Sequence, residues 1–200
     1  DEHVVQPGLP HQRILDVGTG LGRSAMGYAE ALPDAEIYAI DISPPSLRWG
    51  KYRAHQAGVD NIRWWYMDLC DMSAFEDDSF DIVYCSFTLM WLPDQQRAVR
   101  EMERVARQCV ACLAEPDYGR RSCSPPEVAR LDKGLIRSLR AEGADPFTGR
   151  KLDRLMRNAG LEVDLGTYDG KWTGARLKDE AEAEWNALSQ AVKGFVDAET

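Results

Sequence analysis

The first 120 positions alternate between short apolar runs and longer stretches with apolar residues every third or fourth place. The short runs are Ile14–Val17, Glu36–Ile40, Ile62–Met67, Phe80–Cys85 and Cys109–Ala114. Each is too short for a helix, so each reads as a strand, and Ile14–Val17, ended by glycines, as a buried one. Between them, Arg23–Leu32 is a helix halted at Pro33. A second helix follows Ser43-Pro44-Pro45, with Ser43 as N-cap and proline in the first turn, carries Leu47–Ala57 and stops at Gly58. A third opens at Pro93-Asp94 and buries Val99, Met102, Val105 and Ala106 at helical spacing. Strand and helix in alternation predict a mostly parallel sheet with helices on both faces, a Rossmann-like three-layer α/β sandwich.

The pattern changes after Gly119. Ser124-Pro125-Pro126 opens a helix to about Ala141, Gly143–Gly149 is a loop, and Arg150–Asn158 is a further helix stopped by Gly160. Leu161–Tyr168 reads as a sixth strand. Asp169-Gly170 is a two-residue hairpin turn, and Lys171–Leu177 is a possible returning strand weakened by Gly174. Leu177, Ala181, Trp185, Leu188, Val192 and Phe195 share one face of a final helix. With 200 residues the chain fits one domain. Its expected parts are a core over 1–118, a helical insertion over 119–160, and closing strands with a helix over 161–200.

Composition narrows the function. A net charge of −9 argues against a nucleic-acid partner, because phosphate backbones are bound by basic stripes. No apolar run is long enough to span a bilayer and no signal peptide opens the chain, so no membrane role is expected. Five cysteines, odd in number and scattered, read as reduced thiols of a cytoplasmic protein. Cys109 and Cys112 form a C-x-x-C inside a strand, where they face opposite sides, and no histidine cluster completes a metal site. The opening D-E-H-V-V-Q lacks Met, so the start is expected to lie inside a longer product or after a processing point.

The candidate chemistry gathers at Arg13–Gly22, R-I-L-D-V-G-T-G-L-G. A strand running into alternate glycines and then a helix lets a ligand lie against bare backbone, with helix N–H groups facing it. Asp16, Asp41, Asp68 and Glu115 all fall at or near strand C-terminal ends, the edge where parallel sheets bind ligands. Gly20-x-Gly22-x-x-Ala25 with Asp41 downstream also fits the dinucleotide fingerprint, which keeps an NAD-dependent oxidoreductase open.

Asp16 to Gly22, D-x-G-x-G-x-G, resembles motif I of class I S-adenosylmethionine-dependent methyltransferases. Asp41, Asp68-Leu69 and the stretch F-D-I-V-Y-C-S-F-T-L-M-W-L-P-D (Phe80 to Asp94) extend the likeness. It is strongest toward the small-molecule subgroup typified by ubiquinone and menaquinone C-methyltransferases, and it covers roughly the first 120 residues. The resemblance implies S-adenosyl-L-methionine as cofactor, with Asp16, Gly18, Thr19, Gly20 and Gly22 at the loop. It places Asp41 on the ribose, Ile42 against the adenine face, Asp68 and Leu69 around the adenine, and Ser86 and Phe87 on the cofactor's other side. The implied reaction is in-line methyl transfer to a small-molecule acceptor, with Trp91, Tyr118 and Phe147 as candidate acceptor-lining residues.

No catalytic residue is assigned. His3, His11 and His55 are poorly placed, and Glu115, Asp117 and Tyr118 stand nearer, as a base or as loop caps. The sequence departs from the subgroup where Gln108-Cys109 replaces Pro-Gly-Gly and Trp91 replaces a histidine. A seventh strand is missing or short unless Lys171–Leu177 supplies it, so a partner chain and a non-catalytic subunit of a larger assembly stay open. The acceptor and the oligomeric state are left open.

Overall fold

The computed structural model describes residues 12–120 and 128–166, together with Lys178, Glu182 and Asn186. Its strands are β1 (Arg13–Val17), β2 (Glu36–Asp41), β3 (Ile62–Tyr66), β4 (Phe80–Ser86) and β5 (Ala106–Leu113). Its helices are α1 (Arg23–Ala31), α2 (Pro44–Gln56), α3 (Gln95–Val105), α4 (Val128–Ala141) and α5 (Leu152–Arg157). All five strands are parallel, in the order β3-β2-β1-β4-β5.

Strand alternation sorts the core into two layers. Leu15 and Val17 of β1 face one side, with Val83 and Cys85 of β4 and with Val99, Met102 and Val105 of α3. Ile14 faces the other, with Ile37, Ala39, Ile82 and Tyr84, against Ala25 and Ala29 of α1 and Ala54 of α2. Asp16 alternates onto this second side, so its carboxylate is carried into the layer beneath α1. Helices on both faces explain why the central strands β1 and β4 are buried almost throughout.

Trp64 of β3 shapes the start of α1. A Cβ on Gly22 would stand 2.1 Å from the tip of the Trp64 ring, and one on Gly50 of α2 would stand 2.6 Å from it. Gly22 also has φ +74, a left-handed backbone that a side chain strains. This indole is a wedge between the two helices, seated where both lack side chains. Gly22→Ala is therefore expected to lower stability by about 1–3 kcal/mol through overpacking. Urea unfolding measures it; an unchanged midpoint would contradict the wedge.

Several boundaries differ from the sequence reading. β5 starts at Ala106, three positions before Cys109, because α3 passes straight into it at Ala106. Without the Pro-Gly-Gly of the subgroup, no separate turn intervenes. Leu161–Gly166 is irregular chain rather than a sixth strand; Leu161 and Val163 pack against the core, but no ladder partner exists for them among the described residues. Tyr168, the Asp169-Gly170 turn and Lys171–Leu177 lie outside the described residues. Lys178, Glu182 and Asn186 are helical and exposed, as expected for the polar face of the last helix, whose apolar positions also lie outside.

Contacts divide the chain into two compact units. The first holds the described part of Asp1–Glu115 with Leu152–Val163, so α5 belongs with the sheet, where Gln96 donates to the Leu155 carbonyl at 3.0 Å. The second holds the described parts of Pro116–Lys151 and Asp164–Thr200. Within it Arg150 clasps Asp117 at 2.6–3.0 Å, and Tyr118 packs with Leu131, Leu135 and Leu139.

Candidate functional site

Strand order reverses direction between β1 and β4, so the chains leaving their C-terminal ends diverge and open a crevice. A cavity of about 330 Å³ lies there. Gly18 and Gly20 after β1 line it, with Asp41 and Ile42 after β2, Met67, Asp68 and Leu69 after β3, and Phe87, Thr88, Trp91 and Leu92 after β4.

The three glycines of the loop serve different ends. Gly22 accommodates Trp64. Gly18 accommodates Thr88, whose methyl carbon would stand 2.2 Å from an added Cβ. At Gly20 an added Cβ would meet nothing within 4 Å, although the residue lines the cavity. Gly20 is thus the one bare backbone point of the loop that faces open space.

Asp41 holds this loop in place. Its Oδ2 accepts the Gly20 N–H at 2.7 Å and its Oδ1 accepts the Ser43 N–H at 2.8 Å. Each carboxylate oxygen has a second lone-pair direction, so two acceptor positions remain for a ligand. Asp68 accepts the Cys70 N–H at 2.8 Å through Oδ1. Around these acids the wall is apolar: Ile42, Met67 and Leu69 on one side, Phe87, Trp91 and Leu92 on the other.

Asp16, Thr19, Gly22 and Ser86, expected at a cofactor, do not line the cavity. Asp16 is buried and accepts the Thr19 hydroxyl at 2.8 Å. Burial pushes its carboxyl up to about 7, opposed by the Thr19 hydroxyl, the nearby Tyr84 hydroxyl and the Ala25 backbone and reinforced by the charge of Asp41. Ser86 instead offers its carbonyl 3.1 Å from the Thr88 hydroxyl. Met67, Thr88 and Leu92 line the cavity although none was expected at the site; Thr88 and Leu92 fall within the Phe80–Asp94 stretch, and Met67 ends the third apolar run. Met67 and Leu92 carry only apolar side chains, which look like core in a sequence; Thr88 sits two places past the end of an apolar strand, a position that could have drawn notice.

The candidate bases fare differently. Glu115 is buried, with four protein donors on its two oxygens: the N–H groups of Thr88 at 2.7 Å, Leu89 at 2.9 Å and Met90 at 3.2 Å, and the Cys85 thiol at 3.7 Å. It caps a loop rather than facing a substrate. Burial raises its carboxyl, and the three amides pull the other way. Asp117 and Tyr118 belong to the second unit, as does Phe147, whose ring is flanked by Arg140 and Arg150 at 5.0 and 4.7 Å. His55 is exposed at the end of α2, and His3 and His11 lie outside the described residues. Among the described residues no cluster of histidine, cysteine and acid side chains could hold a metal.

Residues 15–112 match the family described as a methyltransferase domain. These residues form a methyltransferase domain, and the proteins it resembles are S-adenosylmethionine-dependent methyltransferases. A demethylmenaquinone methyltransferase of Roseiflexus castenholzii is 34% identical over 152 residues, which is 67% of this chain and 56% of that protein. An uncharacterized methyltransferase of Bacillus subtilis, YcgJ, is 31% identical over 96 residues, 48% of this chain and 37% of its own length. The chain thus spans between about a third and two thirds of the curated relatives it matches. The crystal structure of YcgJ aligns at a TM-score of 0.64 with 19% identity, covering 92% of this chain and 78% of that one, a likeness of fold. The oxidoreductase alternative finds no support in these likenesses, and neither does a purely non-catalytic subunit.

The methyltransferase domain's cofactor fits the residues present. The open face of Gly20 admits a ligand against the backbone, and Asp41, which lines the same cavity, keeps acceptor capacity on each carboxylate oxygen. Asp68 and Leu69 pair an acceptor with an apolar wall, the combination an adenine amino group and ring face require.

Proposed function

We propose that this domain transfers a methyl group from S-adenosylmethionine to a small-molecule acceptor. The observation that carries the reading is the convergence of the Asp41 and Asp68 carboxylates with the bare face of Gly20 on one cavity at the sheet's switch point. In this reading Asp41 accepts the two ribose hydroxyls, while Ile42 and Leu69 enclose the adenine and Asp68 accepts from its amino group. When bound, the cofactor supplies an electrophilic methyl on a sulfonium, already a good leaving group. The protein's contribution is then alignment and exclusion of water, and orientation alone can supply ~7–11 kcal/mol in well-aligned cases. Phe87, Trp91 and Leu92 form the apolar wall against which an acceptor would lie. The net charge of −9 supports an acceptor other than nucleic acid. Among the described residues no helix is long and apolar enough to cross a membrane, and Cys70, Cys85, Cys109 and Cys112 are free thiols, which supports a cytoplasmic location.

Asp16 adds a pH signature. With its carboxyl near 7 it is largely protonated below that pH and charged above it. Positive charge arriving at the glycine loop favours the charged form, so a cationic ligand binds more tightly as pH rises through 7 and releases a proton on binding. Calorimetry at pH 6.5 in buffers of different ionisation enthalpy should show more proton release with S-adenosylmethionine than with S-adenosylhomocysteine, and Asp16→Asn should remove the difference. Tight NADH binding with no response to either adenosyl compound would overturn the function. A methyl-transfer assay over candidate small acceptors tests the second substrate.

A further inference from the structure

Phe87 has φ +54, a left-handed backbone that a bulky residue rarely adopts, and its ring is half exposed at the cavity. The strand that carries it ends at Ser86, and the next residues turn at once into the short 3₁₀ segment Leu89–Trp91. The first amides of such a turn have no partner within it. Here Thr88, Leu89 and Met90 all donate to the Glu115 carboxylate, reached from the end of the neighbouring strand. Thr88 in turn lies across the glycine loop, with its hydroxyl 3.4 Å from the carbonyls of Val17 and Gly18 and its methyl over Gly18. Glu115 therefore reaches the cavity twice without lining it: through the Phe87–Leu92 wall, and through Thr88 to the loop.

We propose that Glu115 is a positioning residue, holding Phe87 in its left-handed conformation and seating Thr88 against the glycine loop so that both sides of the cofactor cavity are set before ligand arrives. A carboxylate suits the task because its two oxygens can accept all three amides at once. Glutamine offers one oxygen, which can serve Thr88 and Leu89, but turns an amide N–H₂ toward the Met90 N–H. Alanine leaves all three donors unpaired. The proposal rests on the cavity being the adenosyl site.

The test uses the full chain, S-adenosylhomocysteine as probe, and two readouts: the dissociation constant by calorimetry and amide exchange at Thr88, Leu89 and Met90. Wild type binds if the site reading is right; failure of the wild type to bind overturns that reading and this inference with it. Given binding, Glu115→Ala is expected to weaken affinity about 10- to 100-fold, as loss of several charge-assisted bonds implies. Glu115→Gln should restore part of it, and the three amides should exchange faster in both variants. A cycle with Phe87→Gly separates positioning from general support. Glycine adopts φ +54 without strain, so on that background the share of the loss that runs through Phe87 disappears, and either Glu115 substitution should cost less than on the wild-type background, leaving the share carried by Thr88. An equal loss in both backgrounds, no loss in either, or unchanged exchange at the three amides overturns the proposal. Should Glu115→Ala fail to fold, the Glu115→Gln and Phe87→Gly cycle decides between the same outcomes.

Discussion

Gly20→Val is expected to abolish binding of S-adenosylhomocysteine, read as no saturable heat in calorimetry and no ligand-induced rise in melting temperature. Two effects combine. Gly20 has φ +55, where a β-branched residue is a strong outlier, so valine distorts the loop. The open space beyond its Cα is the cavity itself, so the isopropyl group occupies what a ligand would fill. Any loss of stability should be confined to that backbone strain, about 1–3 kcal/mol, because no protein atom lies within 4 Å to be displaced. Gly27 makes the control. It sits exposed in α1 with nothing within 4 Å of an added Cβ, so Gly27→Ala should keep full binding and stabilise the helix by about 0.5–1 kcal/mol. Binding by the valine variant at wild-type affinity would remove Gly20 from the site.

The second large effect is at Asp41. Asp41→Ala is expected to weaken S-adenosylhomocysteine by about 1.5–3 kcal/mol, roughly 10- to 150-fold, from loss of charge-assisted bonds to the ribose. Part of the loss is indirect, because the carboxylate also receives the Gly20 and Ser43 amides. A ligand that lacks the ribose 2′ and 3′ hydroxyls separates the two contributions. The 2′,3′-dideoxy analogue of S-adenosylhomocysteine should bind wild type and Asp41→Ala with affinities closer together than the parent compound does. If the analogue shows the full difference, Asp41 supports the loop alone and the ribose lies elsewhere. The cavity would then need a different occupant orientation, with Asp68 as its remaining acid.

These two variants and Gly22→Ala draw a line that runs through one glycine loop. Position 20 is expected to govern ligand, and position 22 is expected to govern folding. In the sequence the two are alike, glycines of one loop on either side of Leu21. The difference is made by Trp64, which lies far beyond Gly22 in the chain and reaches it only because β3 lies on the far side of β2 from β1.

Much of the fold was legible in advance. Each of the five runs is a strand: β1, β2 and β4 are buried almost throughout and read as apolar runs, whereas β3 and β5 at the sheet's edges leave Trp65, Tyr66, Arg107 and Gln108 exposed. Helices α1, α2 and α3 followed from periodicity and from caps such as Ser43 and Asp94, which are local devices and therefore readable locally. The placing of Asp41 and Asp68 beside the glycine loop was also implied, since parallel connection forces successive strand ends to one edge. What the sequence could not decide was which side chain at that edge faces outward. Asp16 precedes the loop and looks like a site acid, yet strand alternation turns it under α1 into the company of Tyr84. Glu115 looks like a base at a strand tip, yet the turn after β4 presents three unpaired amides that only a neighbouring strand can satisfy. Strand, helix and edge are fixed by period and capping within a few residues; burial, pairing and open space are properties of residues brought together from distant parts of the chain, and only the folded arrangement decides them.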